Sequence, residues 1–213
     1  MSIRTFDIDG ICILIGDYCD IDRATISDSQ FADINSLSAD KQRRERELTY
    51  TLVNRAAGIY TRRFGWLAGA TLGHHANGAP FLNIDRKINI SISHCRSGAC
   101  IALSDVSQNF GIDIEDSSDK LARVKSKFIS ECEEKIIDSD MLLWVWTIKE
   151  AVYKAAGTPG LSLRDGITIE PVMQPRQETA AAFSLMANAL AAGNIYRCLS
   201  LSEPNRCTTI SVM

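Results

Sequence analysis

The residues best suited to chemistry in this chain are Asp113, Glu115, Glu150 and Lys154. The first two lie in Phe110-Gly-Ile-Asp-Ile-Glu115, where apolar and acidic residues alternate with the two-residue period of a strand. That spacing puts both carboxylates on one face and Ile112 and Ile114 on the other. Neighbouring carboxylates repel, and burial disfavours the ionised form of each. A hard divalent cation such as Mg2+ removes the conflict, and magnesium sites use one or two carboxylates plus substrate phosphates. A solvent-facing acidic strand end has the same pattern. Glu150 and Lys154 lie four apart within Trp144-Val-Trp-Thr-Ile-Lys-Glu-Ala-Val-Tyr-Lys154, a helix closed by the breaker Gly157-Thr-Pro-Gly160. Trp144, Ile148, Val152 and Ala155 gather on one side and should face a core. Glu150 and Lys154 fall on the other, flanked by Trp146 and Tyr153. This face is either a site between two aromatics or an ordinary surface ion pair.

The two stretches together resemble the paired signature of the 4′-phosphopantetheinyl transferases: Gly111-Ile-Asp-Ile-Glu115, then Trp146-Thr-Ile-Lys-Glu-Ala-Val-Tyr-Lys154 about thirty residues later. The pair is far more specific than either half. Between them, Phe128-Ile-Ser-Glu-Cys-Glu133 resembles the family's short Phe-x-Ser-x-x-Glu segment. The resemblance implies a transferase of the larger, monomeric two-lobed type. Such an enzyme moves 4′-phosphopantetheine from coenzyme A, its co-substrate, to a serine of an acyl or peptidyl carrier protein and releases 3′,5′-ADP. Carriers of this kind serve fatty acid, polyketide and nonribosomal peptide synthesis. Magnesium on Asp113, Glu115 and Glu150 would offset the charge that develops on the phosphates. Glu150, or a water it holds, is expected to take the serine proton, and Lys154 to assist the leaving diphosphate. Lys149, about 100° round the helix from Glu150, is expected to contact phosphate from the side.

Phosphate recognition also needs cations outside this segment. Residues 41–63 hold seven Lys or Arg and two Glu, a local balance of 7 − 2 = +5 in a chain of net charge −3. A charge run of this kind is a solvated helix face or a dock for a polyanion. Arg43-Arg-Glu-Arg-Glu-Leu resembles the family's grip on the 3′-phosphoadenosine end of coenzyme A, which implicates Arg43 and Arg46. Ser93 and His94 match the family's Ile-Ser-His and are expected at a coenzyme A phosphate. Two family cations are replaced: Thr51 stands where an arginine commonly follows, with Arg55 one turn on as a substitute. Ala79 replaces the lysine of Gly-Lys-Pro, with His74 or His75 nearby. These departures motivate an alternative, a catalytically weakened coenzyme A-binding or carrier-docking protein.

The whole composition sets outer bounds. With 213 residues, 46% hydrophobic and 23% charged, the chain suits one large domain or two small ones. The acidic net charge argues against a general nucleic-acid binder. No apolar run approaches the ~18 residues of a membrane span, and no signal peptide is evident. The seven cysteines form no CxxC and are odd in number, which fits reduced, mostly packed thiols in a cytoplasmic protein.

The elements that must position these residues read as an α+β fold. The resemblance implies two similar lobes, a pseudo-dimer, each a small mainly antiparallel sheet packed with a long helix. The expected division is 1–105, on the 3′-phosphoadenosine side, and 106–213, with the metal and catalytic motifs. The carrier is expected in the groove between the lobes. In order, the pattern predicts a strand at Ile11–Ile15, polar residues 17–40 with a helical turn, and a helix from Lys41 to about Phe64 with Leu48, Leu52, Ala56 and Ile59 inward. A turn at 73–80, strands at 88–94 and 99–103 and a linker over 104–109 follow. Next come a helix over 119–137, the Trp144–Lys154 helix, a strand near Ile167–Ile169 and a hairpin of 195–201 with 207–212.

Overall fold

The computed structural model describes residues 3–106, 109–172 and 182–213. The chain divides into two compact units, Met1–Ser107 and Gln108–Met213. Each, taken by itself, is an antiparallel sheet carrying one long helix, so the α+β expectation holds. Ser107 and Gln108 of the expected linker lie outside the described residues.

In the first unit, β1 (Arg4–Ile8) and β2 (Ile11–Asp17) form a hairpin, followed by α1 (Asp28–Ser36) and α2 (Asp40–Ile59). A short α3 (Thr61–Phe64) leads to the ribbon β3 (Leu72–His74) and β4 (Pro80–Leu82), then β5 (Asn89–His94) and β6 (Gly98–Ser104). The sheet order is β1-β2-β6-β5, all antiparallel. α2 lies against β2 and β6, and Leu48, Leu52 and Ala56 are fully buried as their spacing predicts. Ile59 is 43% exposed instead. The next residue, Tyr60, leaves helical backbone (φ −104°, ψ 50°), so the long helix ends before Phe64. Midway, Glu47 to Val53 is buried all round. Thr49 and Thr51 tolerate this because their hydroxyls donate to the carbonyls one turn back, Glu45 O and Glu47 O.

The second unit opens with β7 (Phe110–Asp116), followed by α4 (Lys120–Val124), α5 (Leu142–Ala156), β8 (Ile167–Pro171), β9 (Ser184–Ala191), β10 (Asn194–Glu203) and β11 (Arg206–Val212). The strands pair in the order β7-β11-β10-β9-β8, and α5 covers β7 and β11. Trp144, Ile148, Val152 and Ala155 are buried, and Gly157 closes the helix in the left-handed conformation (φ 57°). Gly111 is the condition for this packing. A Cβ there would lie 2.1 Å from Ala151 O and 2.6 Å from Ala155 N.

The helix expected over 119–137 is instead α4 and a series of short turns. Leu121 and Phe128 are buried as the period requires, but Cys132 is exposed and Ile136 is 54% exposed. Beyond the break at the end of α4, the Glu133 carboxylate accepts from Ser130 N (2.9 Å) and Ser130 Oγ (3.0 Å) and starts a separate turn. Among the described residues, no helix is long and apolar enough to cross a membrane, and five of the seven cysteines are buried free thiols.

Candidate functional site

The acidic cluster of the second unit is built by the close approach of α5 to β7. Asp113 and Glu115 share the strand face of Gly111, the face turned to Ala151 and Lys154 of the helix. Lys154 Nζ donates to Asp113 Oδ1 at 2.7 Å and to the Ile112 carbonyl at 3.0 Å. An ammonium has three donors, so one N–H is left over. Burial pushes the Glu150 carboxyl up to about 7, and the Asp113 and Glu115 charges add to the rise while Lys154 opposes it. Glu115 is also raised, first by burial, then by Asp113 and Asp116 against the Asp116 N–H bond. Lys154 thus pairs with Asp113 across to β7. Three carboxylates share a partly dried space with the Lys154 ammonium, and Lys120 opposes the rise at Glu115.

Such an all-oxygen, net-anionic set suits a hard divalent cation. The carboxylate oxygens of Asp113, Glu115 and Glu150 do not all lie within 4.8 Å of one another. Among the described residues, the group that close is Asp17, Cys19 and Asp20 at the end of β2. There, Asp20 accepts from the Asp17 N–H at 2.9 Å and caps its own turn.

Two neighbours expected at the site serve the core instead. Lys149 has 0% exposure, and its Nζ donates to Glu133 Oε2 at 2.7 Å. Glu133 also accepts from the Ile169 N–H (3.2 Å). The Lys149 ammonium is thus enclosed between α5, the Ser130–Glu133 turn and β8, away from any phosphate. Trp146 packs edge-to-face on Phe128 at 5.1 Å, at the margin of the core. Tyr153 remains 39% exposed.

A cavity of about 350 Å³ in the first unit gathers Arg46, Thr49, His74 and His94, with Gly78 and Pro80 at its β3–β4 wall. His94 Nε2 lies 2.8 Å from Thr49 Oγ1. The Thr49 proton is directed at Glu45 O, which makes Nε2–H the donor to Thr49. Ser93, the preceding strand residue, does not line this cavity, since successive strand side chains point to opposite faces. Arg46 donates through Nη1 to Asp33, and Nη1 is the only guanidinium nitrogen hydrogen-bonded to another described residue.

Arg43 lines a different cavity, with Tyr18, Arg23 and Arg44. All three of its nitrogens are used at the start of α2: Nε on Leu37 O (2.8 Å), Nη2 on Ser38 O (3.1 Å) and Nη1 on Asp40 (2.8 Å). These bonds clamp the α1–α2 connection and use three of the five N–H donors, so one N–H on each of Nη1 and Nη2 remains. Thr51 and Arg55 line a separate depression with Asp22 and Asn54, so Arg55 does not replace a cation beside Arg46. Of the two neighbouring histidines, His74 at the end of β3 reaches the cavity, while the His75 ring lies tilted against Phe81 at 4.7 Å. Sequence reasoning missed Thr49 altogether, and it met Glu133 only as the end of a family-like segment with no role attached. Glu133 does leave a signal, in the Ser130-x-x-Glu133 spacing of a capping box.

The sequence model of the 4′-phosphopantetheinyl transferase superfamily matches residues 109–201, which include Asp113, Glu115, Glu150 and Lys154. A comparison with curated proteins returns no match. The acidic cluster lies on the elements covered by that match, and the chain therefore carries, over residues 109–201, a domain of the 4′-phosphopantetheinyl transferase superfamily, a transferase domain whose general chemistry is phosphopantetheine transfer.

Proposed function

We propose that this protein is a two-lobed transferase that moves 4′-phosphopantetheine from coenzyme A to a serine of an acyl or peptidyl carrier protein. The observation that carries the reading is the coupled set Asp113, Glu115 and Glu150, with Lys154 held against Asp113. Asp113, Glu115 and Glu150 are the residues that would hold magnesium. A bound magnesium ion supplies charge compensation to the coenzyme A diphosphate. The serine oxygen attacks the pantetheine-side phosphorus, and the bond from that phosphorus to the 3′,5′-ADP oxygen breaks. Glu150, or a water it holds, is assigned as the group that accepts the serine proton. The remaining N–H of Lys154 is assigned to the departing diphosphate. In the first unit, Arg46, His74 and His94 are assigned to the 3′-phosphate of coenzyme A, His94 as the imidazolium, in which both ring nitrogens donate.

The test is to incubate the protein with coenzyme A, magnesium and several apo-carriers, then weigh the carriers. Transfer adds a phosphopantetheine mass that chelator removes and Asp113→Ala abolishes. Unmodified carriers alongside tight coenzyme A binding would favour the carrier-docking alternative. Lys154→Ala is expected to lower turnover by about 10²–10³-fold, as for loss of one oxyanion donor. Coenzyme A binding with magnesium should survive better in that variant, because the carboxylates remain.

The two arginines should separate. Arg46→Ala is expected to weaken coenzyme A by about 1.5–3 kcal/mol, the worth of a hydrogen bond to a charged group, and to spare dephospho-coenzyme A. Arg43→Ala should instead lower the melting temperature and leave the ratio of the two affinities unchanged, because its bonds hold backbone carbonyls of the α1–α2 connection. Calorimetry with both ligands distinguishes these outcomes.

A further inference from the structure

Arg46 is one end of a hydrogen-bonded chain that reaches the opposite wall of its cavity. Its Nη1 donates to Asp33 Oδ2, on α1. The hydroxyl of Tyr50, a fully buried residue of α2, donates to the same oxygen. The Tyr50 hydroxyl in turn accepts from the Leu72 N–H at 3.0 Å. Leu72 is the first residue of β3, and both Leu72 and His74 line the cavity with Arg46. The Arg46 guanidinium also lies 5.9 Å from the centre of the Tyr50 ring. One carboxylate oxygen and one phenol therefore fix the arginine and the β3 strand relative to each other. Burial, and then the Asp33 bond, push the Tyr50 hydroxyl up to about 12, which keeps it a neutral donor.

We infer that Asp33 and Tyr50 are positioning residues that lock Arg46 and β3 into a preformed clamp for a phosphate monoester. The inference rests on the reading that this cavity takes the coenzyme A 3′-phosphate. A free arginine side chain must give up rotamer freedom to grip an anion; one already held through Nη1 has given up much of it, and Nε and Nη2 remain for the ligand. Asp33 has two opposed effects. As an acceptor it orients the guanidinium, and as a charge it repels phosphate. Orientation is assigned as the larger effect, since the geometry couples two walls and the repulsion is compensated by Arg46 itself.

The experiment measures coenzyme A and dephospho-coenzyme A affinities by calorimetry for wild type, Arg46→Ala, Asp33→Ala, Asp33→Asn and Tyr50→Phe, with thermal melting of each. Arg46→Ala and Asp33→Ala should each weaken coenzyme A by about tenfold or more, and Tyr50→Phe by about three- to tenfold, with dephospho-coenzyme A nearly unchanged. Asp33→Asn keeps an oxygen for both donors while removing the charge, so it should match or exceed wild-type affinity. If Arg46→Ala is selective for the 3′-phosphate but Asp33→Ala and Tyr50→Phe only lower the melting temperature, the positioning role is wrong. Tighter coenzyme A binding in Asp33→Ala would mean that the carboxylate masks Arg46, and would also overturn it. Equal losses for both ligands in Arg46→Ala would remove the phosphate reading of the cavity, and the clamp with it.

Discussion

Glu150→Gln should make the metal-free protein more stable at pH 8 and at the same time insensitive to magnesium. The Glu150 carboxyl is held at about 7 in the fold against an ordinary 4.5, so between those values the folded state binds more protons than the unfolded one. Its contribution to stability is therefore fully present below about 4.5 and is lost as pH rises through about 7. The loss is on the order of 3 kcal/mol at most, since each pH unit between the two values is worth about 1.4 kcal/mol. A glutamine side chain cannot ionise, so the variant should melt about 3–8 °C above wild type at pH 8 and no higher at pH 4.5. Magnesium should raise the wild-type melting temperature at pH 8 much more than at pH 5, and should leave the variant nearly unmoved. Transfer to a carrier should fall steeply in the variant. Melting curves over pH 4.5–8.5, with and without magnesium, read all of this. Parallel curves for the two proteins under every condition would end the case for a coupled carboxylate site.

The second large effect concerns stability alone. Glu133→Ala removes the acceptor of four donors: Ser130 N, Ser130 Oγ, Lys149 Nζ and Ile169 N. The alanine leaves an enclosed ammonium without its hydrogen-bonded partner, Asp165 acting on it only through charge, and breaking a buried pair from one side typically costs about 3–5 kcal/mol. A fall in melting temperature of about 10 °C is expected for a chain of this size. Burial lowers the Lys149 pKa, with Glu133 opposing that change, so in the variant the folded state sheds a proton that the unfolded chain keeps. Its stability should consequently recover as pH rises towards 10. Replacing Lys149 by Met in the same background should restore much of the loss. If Glu133→Ala alone melts within a degree of wild type, the pair is incidental to the fold.

These outcomes bear on what can be read from residues alone. Asp113 and Glu115 were legible because a strand's two-residue period is short and local, and Glu150 and Lys154 because a helix places residues four apart side by side. The end of α5 was legible for the same reason, since Gly157 supplies a left-handed cap. Lys149 was not. A lysine in a sequence is expected to reach water, and only the distant Glu133 makes its enclosure possible. Arg43 and Arg46, three apart on one helix, looked equivalent, yet Arg43 is tied to three acceptors around Leu37–Asp40 and Arg46 to Asp33 on α1. β9 escaped notice because Ala187, Ala189 and Ala191 have weak strand preference and owe their conformation to pairing with β8 and β10. The apolar period over 119–137 matches burial as far as Phe128, although α4 ends at Val124 and the cap at Glu133 starts a separate turn.

The missing side chain at Gly111 has a consequence for how such a domain can vary. The carboxylates of β7 and the carboxylate of α5 are spaced by backbone resting on backbone, with no intervening rotamer to swell, shrink or repack. Substitutions elsewhere in the hydrophobic interior would then alter how firmly the unit folds while leaving the gauge of its acidic cluster unchanged. Tolerance to drift and constancy of chemistry are ordinarily in tension. Here a single absent methyl group separates them.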